Sequence, residues 1–335
     1  MALAGQSAKN LADKHDRRKV PWFMTQIYTL DALPKNIKGP VVTIGNFDGV
    51  HKGHQILFEM VRKRAEALGG TSVVMTFEPH PIKVMSPKKL KPLITVLEQK
   101  KELVASQRID ILILISFTLE FSDISARDFV KEILVSKVGI KEIVVGYDYA
   151  FGHNREGNMQ LLKEMGREFN FEVHEVAPVY AGKTLVSSTS IRNLIIEGRL
   201  GEANRLLGRS YQIRGEVIEG KKRGKSLLGY ATANIGLPEG LIPREGVYIV
   251  TVELEDKLFE GLTNIGDNPT FKEKGLSIET HIFGLSTTIM HKQIKINFLK
   301  RLRDEIPFAS PTELSQQIKK DIGEAQRFFK GQETS

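Results

Sequence analysis

Val41-Val42-Thr43-Ile44-Gly45-Asn46-Phe47-Asp48-Gly49-Val50-His51-Lys52-Gly53-His54 sets the architecture of the first half of this chain. A short apolar run stops at a Gly-rich turn, and His-x-Gly-His then opens a helix. That order predicts a strand, a phosphate-holding loop and a helix start. The glycines let backbone N–H groups approach an anion, and the helix N-terminus adds partial positive charge. Histidines three apart fall on one face of the first helical turn, so both imidazoles can reach one oligophosphate. The stretch points to nucleotide chemistry and not only to nucleotide binding.

Working outward, strand-like apolar runs alternate with helical patterns. Val41–Phe47 is followed by a helix over roughly His54–Leu68, then a strand at Ser72–Phe77, a helix near Thr95–Gln107 and a buried-strand run at Ile111–Phe117. Ser125–Val138 has helical periodicity, with Phe129, Ile133 and Val138 on or near one face, and Glu142–Gly146 and Phe171–Ala177 read as further strands. This alternation predicts an α/β, Rossmann-like parallel sheet with helices on both faces, which binds ligands at the carboxyl ends of its strands. The Gly45–His54 turn lies at such an end.

The pattern changes after about Gly208. Ser188–Gly208 reads as a helical connection, and then Tyr211–Ile218, Tyr248–Leu254, Phe259–Asn264, Ser277–Phe283 and Gln293–Phe298 read as short strands separated by Gly, Pro, Asn and Lys. Helical spacing returns only at Thr312–Phe329, where Leu314, Ile318, Ile322 and Phe328 make a partial apolar stripe. Sequential short strands with one closing helix predict an antiparallel β-barrel.

Composition bounds the possibilities. A chain of 335 residues can hold two domains, and its 41% hydrophobic and 26% charged content is ordinary for a globular protein. No apolar run approaches the roughly 18 residues that span a membrane. The polar first stretch, Met1 to Lys19, has no apolar h-region and reads as a disordered tail and not a secretory signal. With no cysteine the chain has no disulfide, thiolate metal site or thiol nucleophile, which fits a reducing cytoplasm. A net charge of +8 suits anionic ligands, nucleotides or nucleic acid alike.

Four further segments carry chemistry. Gly146-Tyr147-Asp148-Tyr149-Ala150-Phe151-Gly152 follows a strand, and Ser187-Ser188-Thr189-Ser190-Ile191-Arg192 sets hydroxyls at a helix start with an arginine one turn inside. Such a start can serve phosphate oxygens, although a lone Ser-Ser-Thr is more often a plain N-cap. In the second half, Gly224 lies in a Gly-containing segment that runs on to Ala231-Thr232-Ala233-Asn234. On a strand, Thr232 and Asn234 project to the same face, where a hydroxyl and an amide oxygen suit Mg²⁺. Glu279, in Ile278-Glu279-Thr280-His281, is a candidate general base or else a solvated strand charge.

Taken together, Gly45-x-Phe-Asp-Gly-x-His51-x-Gly-His54, Val-Gly146-Tyr-Asp148 and Ser187-Ser-Thr-x-Ile-Arg192 resemble the adenylyltransferase module of bacterial bifunctional riboflavin kinase/FMN adenylyltransferases, the FAD synthetases of the HxGH superfamily. The Gly-containing loop, Thr232, Asn234, Gly246-Val-Tyr, Asn264-Ile-Gly and Glu279-x-His resemble the riboflavin kinase module of the same family, and the resemblance runs from about Ile27 to Phe329. It implies a tail over 1–22, an adenylyltransferase domain over 23–186, a helical connection over 187–208 and a kinase domain over 209–335. In the first site it implies catalytic roles for His51, His54 and Arg192, with ATP held by Gly45, Phe47, Asp48, Gly49, Gly53, Ser187, Ser188 and Thr189. Asp148 and Phe151 would bind flavin. In the second, Gly224, Thr232 and Asn234 would bind ATP, Thr232 and Asn234 would hold Mg²⁺, and Glu279 would be catalytic. The implied substrates are ATP, riboflavin and FMN, with no nucleic-acid or membrane partner and a cytoplasmic setting.

Two departures bear on this. The family's Pro-Thr-Ala-Asn is Ala231-Thr232-Ala233-Asn234 here, which leaves open an FMN adenylyltransferase with an impaired kinase domain. Where the family usually carries an Asp soon after Glu-x-His, this chain has Phe283-Gly284-Leu285. Two other classes compete: an aminoacyl-tRNA synthetase fragment, which lacks its Lys-rich signature loop here, and a basic nucleic-acid-binding barrel. The second would need an interleaved aromatic platform, and aromatics are only 7% of the chain.

Overall fold

Six parallel strands, in the order β1-β4-β3-β2-β5-β6, form the sheet of the first half. They are β1 (Gln26–Thr29), β2 (Pro40–Ile44), β3 (Thr71–Glu78), β4 (Ile111–Ser116), β5 (Glu142–Gly146) and β6 (Glu172–Val176). The computed structural model describes residues 25–89, 91–219, 232–267, 276–285, 287 and 289–333. By contacts the chain divides into two units that meet between Ser188 and Thr189. The 1–22 tail expectation, Gly224 and Ala231 lie outside the described residues.

The inner strands of the first unit are rich in apolar residues because both faces of the sheet are covered there. Val42 and Ile44 of β2 join Val73, Met75, Ile113 and Ile143 in one core, while Val41, Val74, Leu112 and Val144 join the core on the other face. That second core is closed by α1 (Lys52–Leu68), through Leu57, Phe58, Val61 and Ala65, and by Val104 of α3 (Leu97–Ser106). Between them stands the short α2 (Pro81–Met85), and beyond β4 come α4 (Leu119–Ser122) and α5 (Ala126–Asp128). The helix expected at Ser125–Val138 is present with a change of pitch: α5 runs into a π-helical stretch, Phe129–Val138, that buries Phe129, Ile133 and Val138. At the amino ends of the strands, Arg64 of α1 forks onto the buried Glu142 of β5, with both N···O distances 2.6 Å. The Arg64 and His174 hydrogen bonds outweigh the burial of Glu142 and hold its carboxyl below the usual range.

Several elements were not read from the sequence, the short helices α2 and α4 among them. Strand β1 is mostly exposed, so no apolar run marks it. Helix α6 (Met159–Phe169) buries Leu162, Met165 and Gly166 and packs Met159, Leu161 and Phe169 against the same core, an apolar stripe that the sequence does carry. The small hairpin of β7 (Tyr180–Ala181) and β8 (Thr184–Leu185) is too short for any periodicity. The connection expected as one helix over Ser188–Gly208 is two, α7 (Ser188–Ile196) and α8 (Leu200–Leu207), parted at Gly198, whose φ of 76° ends a right-handed helix.

The second unit contains a closed antiparallel barrel in the order β10-β13-β12-β11-β14-β9. Its strands are β9 (Tyr211–Ile218), β10 (Thr232–Ile235), β11 (Gly246–Leu254), β12 (Lys257–Asp267), β13 (Leu276–Ile282) and β14 (Gln293–Arg303). The closing helix, α9 (Pro311–Glu333), buries Ala325 and Phe329 against Val247, Ile249 and Leu262. Its hold is partly ionic: Arg303 of β14 forks onto Asp321, at 2.7 Å from Nη2 and 3.1 Å from Nε, and both side chains are largely buried.

Candidate functional site

In the first unit, β2 and β5 are neighbours in the sheet, while β2 connects onward to β3 on its other side. The sheet order reverses there, which opens a crevice at the carboxyl ends of β2 and β5. Gly45–His54 follows β2 and Gly146–Asp148 follows β5, so the sheet order brings these two motifs together.

The turn departs from ordinary backbone at several points: Phe47 has φ 47°, Gly49 85° and Val50 39°. Two of these three are non-glycine residues in the left-handed region, a conformation that costs energy and persists only where surroundings enforce it. The enforcement is visible. Phe47 is a buried anchor, edge-on to Phe58 at 4.9 Å and to His54 at 5.1 Å. Asp48 is 3% exposed, and its Oδ1 accepts from the backbone N–H of Ile94 at 2.9 Å and of Thr95 at 3.1 Å. Gly49 N–H donates to the Thr95 hydroxyl at 3.1 Å. Asp48 therefore clamps the turn to the segment before α3, a job the sequence expectation of an ATP contact did not contain.

Helix α1 begins at Lys52, two residues earlier than expected, because His51 is extended (φ −77°, ψ 172°) and serves as its N-cap residue. The His51 side chain makes no capping bond to the first N–H groups of α1. Instead its ring stacks on that of His54, with centroids 3.5 Å apart and planes 21° apart. Gly53 permits this: a Cβ there would lie 3.2 Å from the His51 ring. The backbone carbonyl of Asp48 also accepts from the hydroxyl of Ser188, the first residue of α7, at 2.8 Å. Ser187 and Ser188 are half-buried and Thr189 is exposed, while Arg192 is half-buried one turn into α7.

Of the expected flavin contacts, Asp148 is exposed at the end of β5, but Phe151 is a core side chain stacked on the less buried Tyr149 at 5.3 Å. An unpredicted feature lies at the carboxyl ends of β3 and β4. There Phe77 packs edge to face on Phe117 at 5.5 Å and on Phe121 at 6.1 Å, and the rings of Phe117 and Phe121 are tilted at 5.6 Å, beside the exposed Ile82, Met85 and Leu119 of α2 and α4. His80 caps α2, its Nδ1 accepting from Ile82 N–H at 3.3 Å.

Sequence reasoning also missed Lys100, 4% exposed, whose Nζ donates to the Asn46 carbonyl at 2.8 Å. A signal existed: Leu97, Lys100 and Val104 occupy one stripe of α3, and a lysine on an inward stripe is unusual. Among the described residues, one trio could ligate a metal, Glu142, Glu172 and His174. Arg64 already bonds both of those carboxylates, at 2.6 and 3.0 Å, so the trio is an ion-pair network at the opposite end of the sheet.

In the barrel, strand register assembles the second site. Asn234 of β10 lies directly across from Glu279 of β13, which lies across from Asn264 of β12; Thr232 is across from His281. Directly paired residues share a face, so Thr232, Asn234, Glu279 and Asn264 stand on one side, with Ala233, Thr263 and Thr280 buried on the other. Asn264 donates to Glu305 at 3.0 Å, just past β14. Burial, and then the neighbouring Glu305 carboxylate, push the Glu279 carboxyl above its usual range. The sequence held no sign of Glu305, because β14 had to be closed against the barrel to bring it there.

Residues 33–190 match the family model described as FAD synthetase, and residues 207–329 match the model described as riboflavin kinase. The chain is 37% identical over 310 residues to a bifunctional riboflavin kinase/FMN adenylyltransferase of Buchnera aphidicola, covering 91% of this chain and 99% of that one. It is 38% identical over 292 residues to a protein of the same description from Listeria monocytogenes, covering 86% of this chain and 92% of that one. A third, from Escherichia coli, is 33% identical over 304 residues, covering 90% and 96%. Among solved structures, one titled a macrolide-efflux protein from Streptococcus pneumoniae superposes with a TM-score of 0.80 at 33% identity, covering 87% of this chain and 96% of that chain. Among the described residues of this chain, no helix is long and apolar enough to cross a membrane.

Proposed function

The chain belongs to the family of bifunctional riboflavin kinase/FMN adenylyltransferases, and from that premise we propose how its two sites divide the work. Riboflavin is phosphorylated to FMN by ATP, and FMN is adenylylated to FAD with release of pyrophosphate. The alternative of an adenylyltransferase with an impaired kinase is not favoured, since both halves match and the relatives carry both activities.

We assign adenylyl transfer to the Gly45–His54 turn. The observation that carries this is the stacked His51–His54 pair at the start of α1, in the turn that follows the carboxyl end of β2. A phosphate oxygen of FMN attacks the α-phosphorus of ATP, the bond to the β-phosphate bridging oxygen breaks, and pyrophosphate leaves. The protein's part is alignment and stabilisation of the developing charge. Imidazole N–H donors and the N-terminus of α1 supply that stabilisation; Ser187, Ser188, Thr189 and Arg192 are assigned to it through the family alone. The apolar shelf of Ile82, Met85 and Leu119 suits the isoalloxazine ring, with Asp148 at the polar edge and Phe151 as backing for Tyr149.

We assign phosphorylation to the row formed by Thr232, Asn234 and Glu279. Glu279 takes the proton of the riboflavin 5′-hydroxyl, which then attacks the γ-phosphorus in line; the raised carboxyl suits a base working near neutrality. Gly224 is assigned to ATP through the family alone. A hydroxyl, an amide oxygen and a carboxylate on one face are the hard oxygen donors that Mg²⁺ takes, so Thr232 and Asn234 would hold it. When bound, the ion neutralises phosphate charge. The partners are small molecules, and a cysteine-free, ATP-using enzyme fits the cytoplasm.

The test is direct. The protein is incubated with ATP and Mg²⁺ plus either riboflavin or FMN, and the flavins are resolved by chromatography. Riboflavin should yield FMN and then FAD, and FMN should yield FAD. A chain that forms no FAD from FMN overturns the first assignment, and one that forms no FMN from riboflavin overturns the second.

A further inference from the structure

Lys100 is a charged side chain sealed inside the adenylyltransferase unit, in a place that none of the roles above explains. Burying an ammonium is costly unless it is hydrogen-bonded and near opposite charge. Its Nζ donates to the Asn46 carbonyl at 2.8 Å and reaches the Thr76 hydroxyl at 3.4 Å, while the Thr76 hydroxyl also donates to Asn46 O at 3.3 Å. Asn46 is the residue just before Phe47, where the left-handed part of the turn begins. The same short segment, Ile94 to Lys100, thus grips the turn twice. The backbone of Ile94 and Thr95 holds the Asp48 carboxylate, and Lys100 holds the Asn46 carbonyl.

We propose that Lys100 is a positioning residue for adenylyl transfer: its ammonium fastens Asn46 and keeps the strained turn, and with it the His51–His54 pair, in the geometry that receives the ATP phosphates. This rests on the assignment of adenylyl transfer to that turn. Burial draws the lysine's pKa down, and the charges of Asp48 and Glu78 partly offset that shift. A loop with two non-glycine residues at positive φ needs grips on both sides of the strained bonds. Asn46 and Asp48 flank Phe47 and supply them.

The test compares Lys100→Met with Lys100→Arg in the full chain. Met keeps the apolar stem and removes the charge and donor, whereas Arg keeps both at the cost of bulk. Expected for Lys100→Met is a fall of roughly 30-fold or more in kcat for FAD formation, about 2 kcal/mol of barrel-independent barrier, with little change in KM for FMN. FMN formation from riboflavin in the same chain should stay within about twofold. Lys100→Arg should recover most of the lost kcat. A residue that merely fills space predicts the reverse order, Met better than Arg, and that order would overturn the proposal. So would Lys100→Met within about threefold of wild type. If Lys100→Met lowers the melting temperature of the first unit, Thr76→Val decides: it is isosteric, removes one of the two contacts, and should slow FAD formation several-fold without lowering the melt. No slowing there also overturns the proposal. Wild-type protein that makes no FAD from FMN would instead defeat the underlying assignment, a separate outcome visible before any variant is made.

Discussion

Replacing Asp48 by Ala separates two roles that sequence resemblance cannot tell apart, a nucleotide contact and a clamp. In the structure the Asp48 carboxylate is enclosed, and it accepts from the backbone N–H groups of Ile94 and Thr95. Hydrogen bonds to a charged group contribute roughly 1.5 kcal/mol or more each, and their loss leaves two buried N–H donors without an acceptor. The clamp reading therefore predicts a loss of about 3 kcal/mol in the stability of the first unit. For a unit of this size that is a drop of about 6–12 °C in melting temperature, since 1 kcal/mol moves Tm by roughly 2–4 °C. The assay is heat inactivation of FAD formation from FMN, with FMN formation from riboflavin followed in the same samples. Asp48→Ala should lose FAD formation at lower temperature while the kinase midpoint stays in place. Asp48→Asn, which keeps an acceptor oxygen, should lose less. An Asp48→Ala protein with an unchanged midpoint for FAD formation but a raised KM for ATP would refute the clamp and restore the direct nucleotide contact.

His54→Ala should reduce FAD formation by at least about 100-fold, in the range seen when a transition-state charge stabiliser is removed, and leave FMN formation within a few-fold; loss of both in a folded chain would contradict separate sites. Glu279→Gln should do the converse, lowering kinase turnover by roughly 10²–10⁴ as expected for a general base. Its raised carboxyl also fixes the sign of a pH effect. The folded state holds the proton more tightly than the unfolded one, so stability tied to it is full below the unfolded value and is lost as pH rises through the folded one. Glu279→Gln should accordingly melt higher than wild type at pH 7–8, with the gain vanishing near pH 4, and an equal gain at both ends would refute this. Asp321→Ala strands the Arg303 guanidinium beneath α9 and should destabilise the barrel unit by about 3 kcal/mol, read as earlier heat inactivation of FMN formation.

The sheet and the barrel were legible because burial writes periodicity into sequence. Val41 to Ile44 is apolar but for Thr43 and Ile111 to Ile115 is apolar throughout, since β2 and β4 are covered on both faces. Strand β1 left no such mark because it is largely exposed. The pair His51 and His54 was legible as spacing. So were Thr232 and Asn234, whose separation by two determines a shared face on any strand.

What the sequence determined by itself was local: a Gly-rich turn at the end of a strand, histidines on one helical turn, alternation along the barrel strands. Only tertiary structure decided which distant residues meet them. The enclosure of Asp48 by Ile94 and Thr95, the grip of Lys100 on Asn46 and the approach of Glu305 to Asn264 each span tens of residues. Such contacts depend on how helices and strands close on one another, and no local period encodes that. The Gly45–His54 turn is strained on its own; the segment from Ile94 to Lys100 makes it a fixed site.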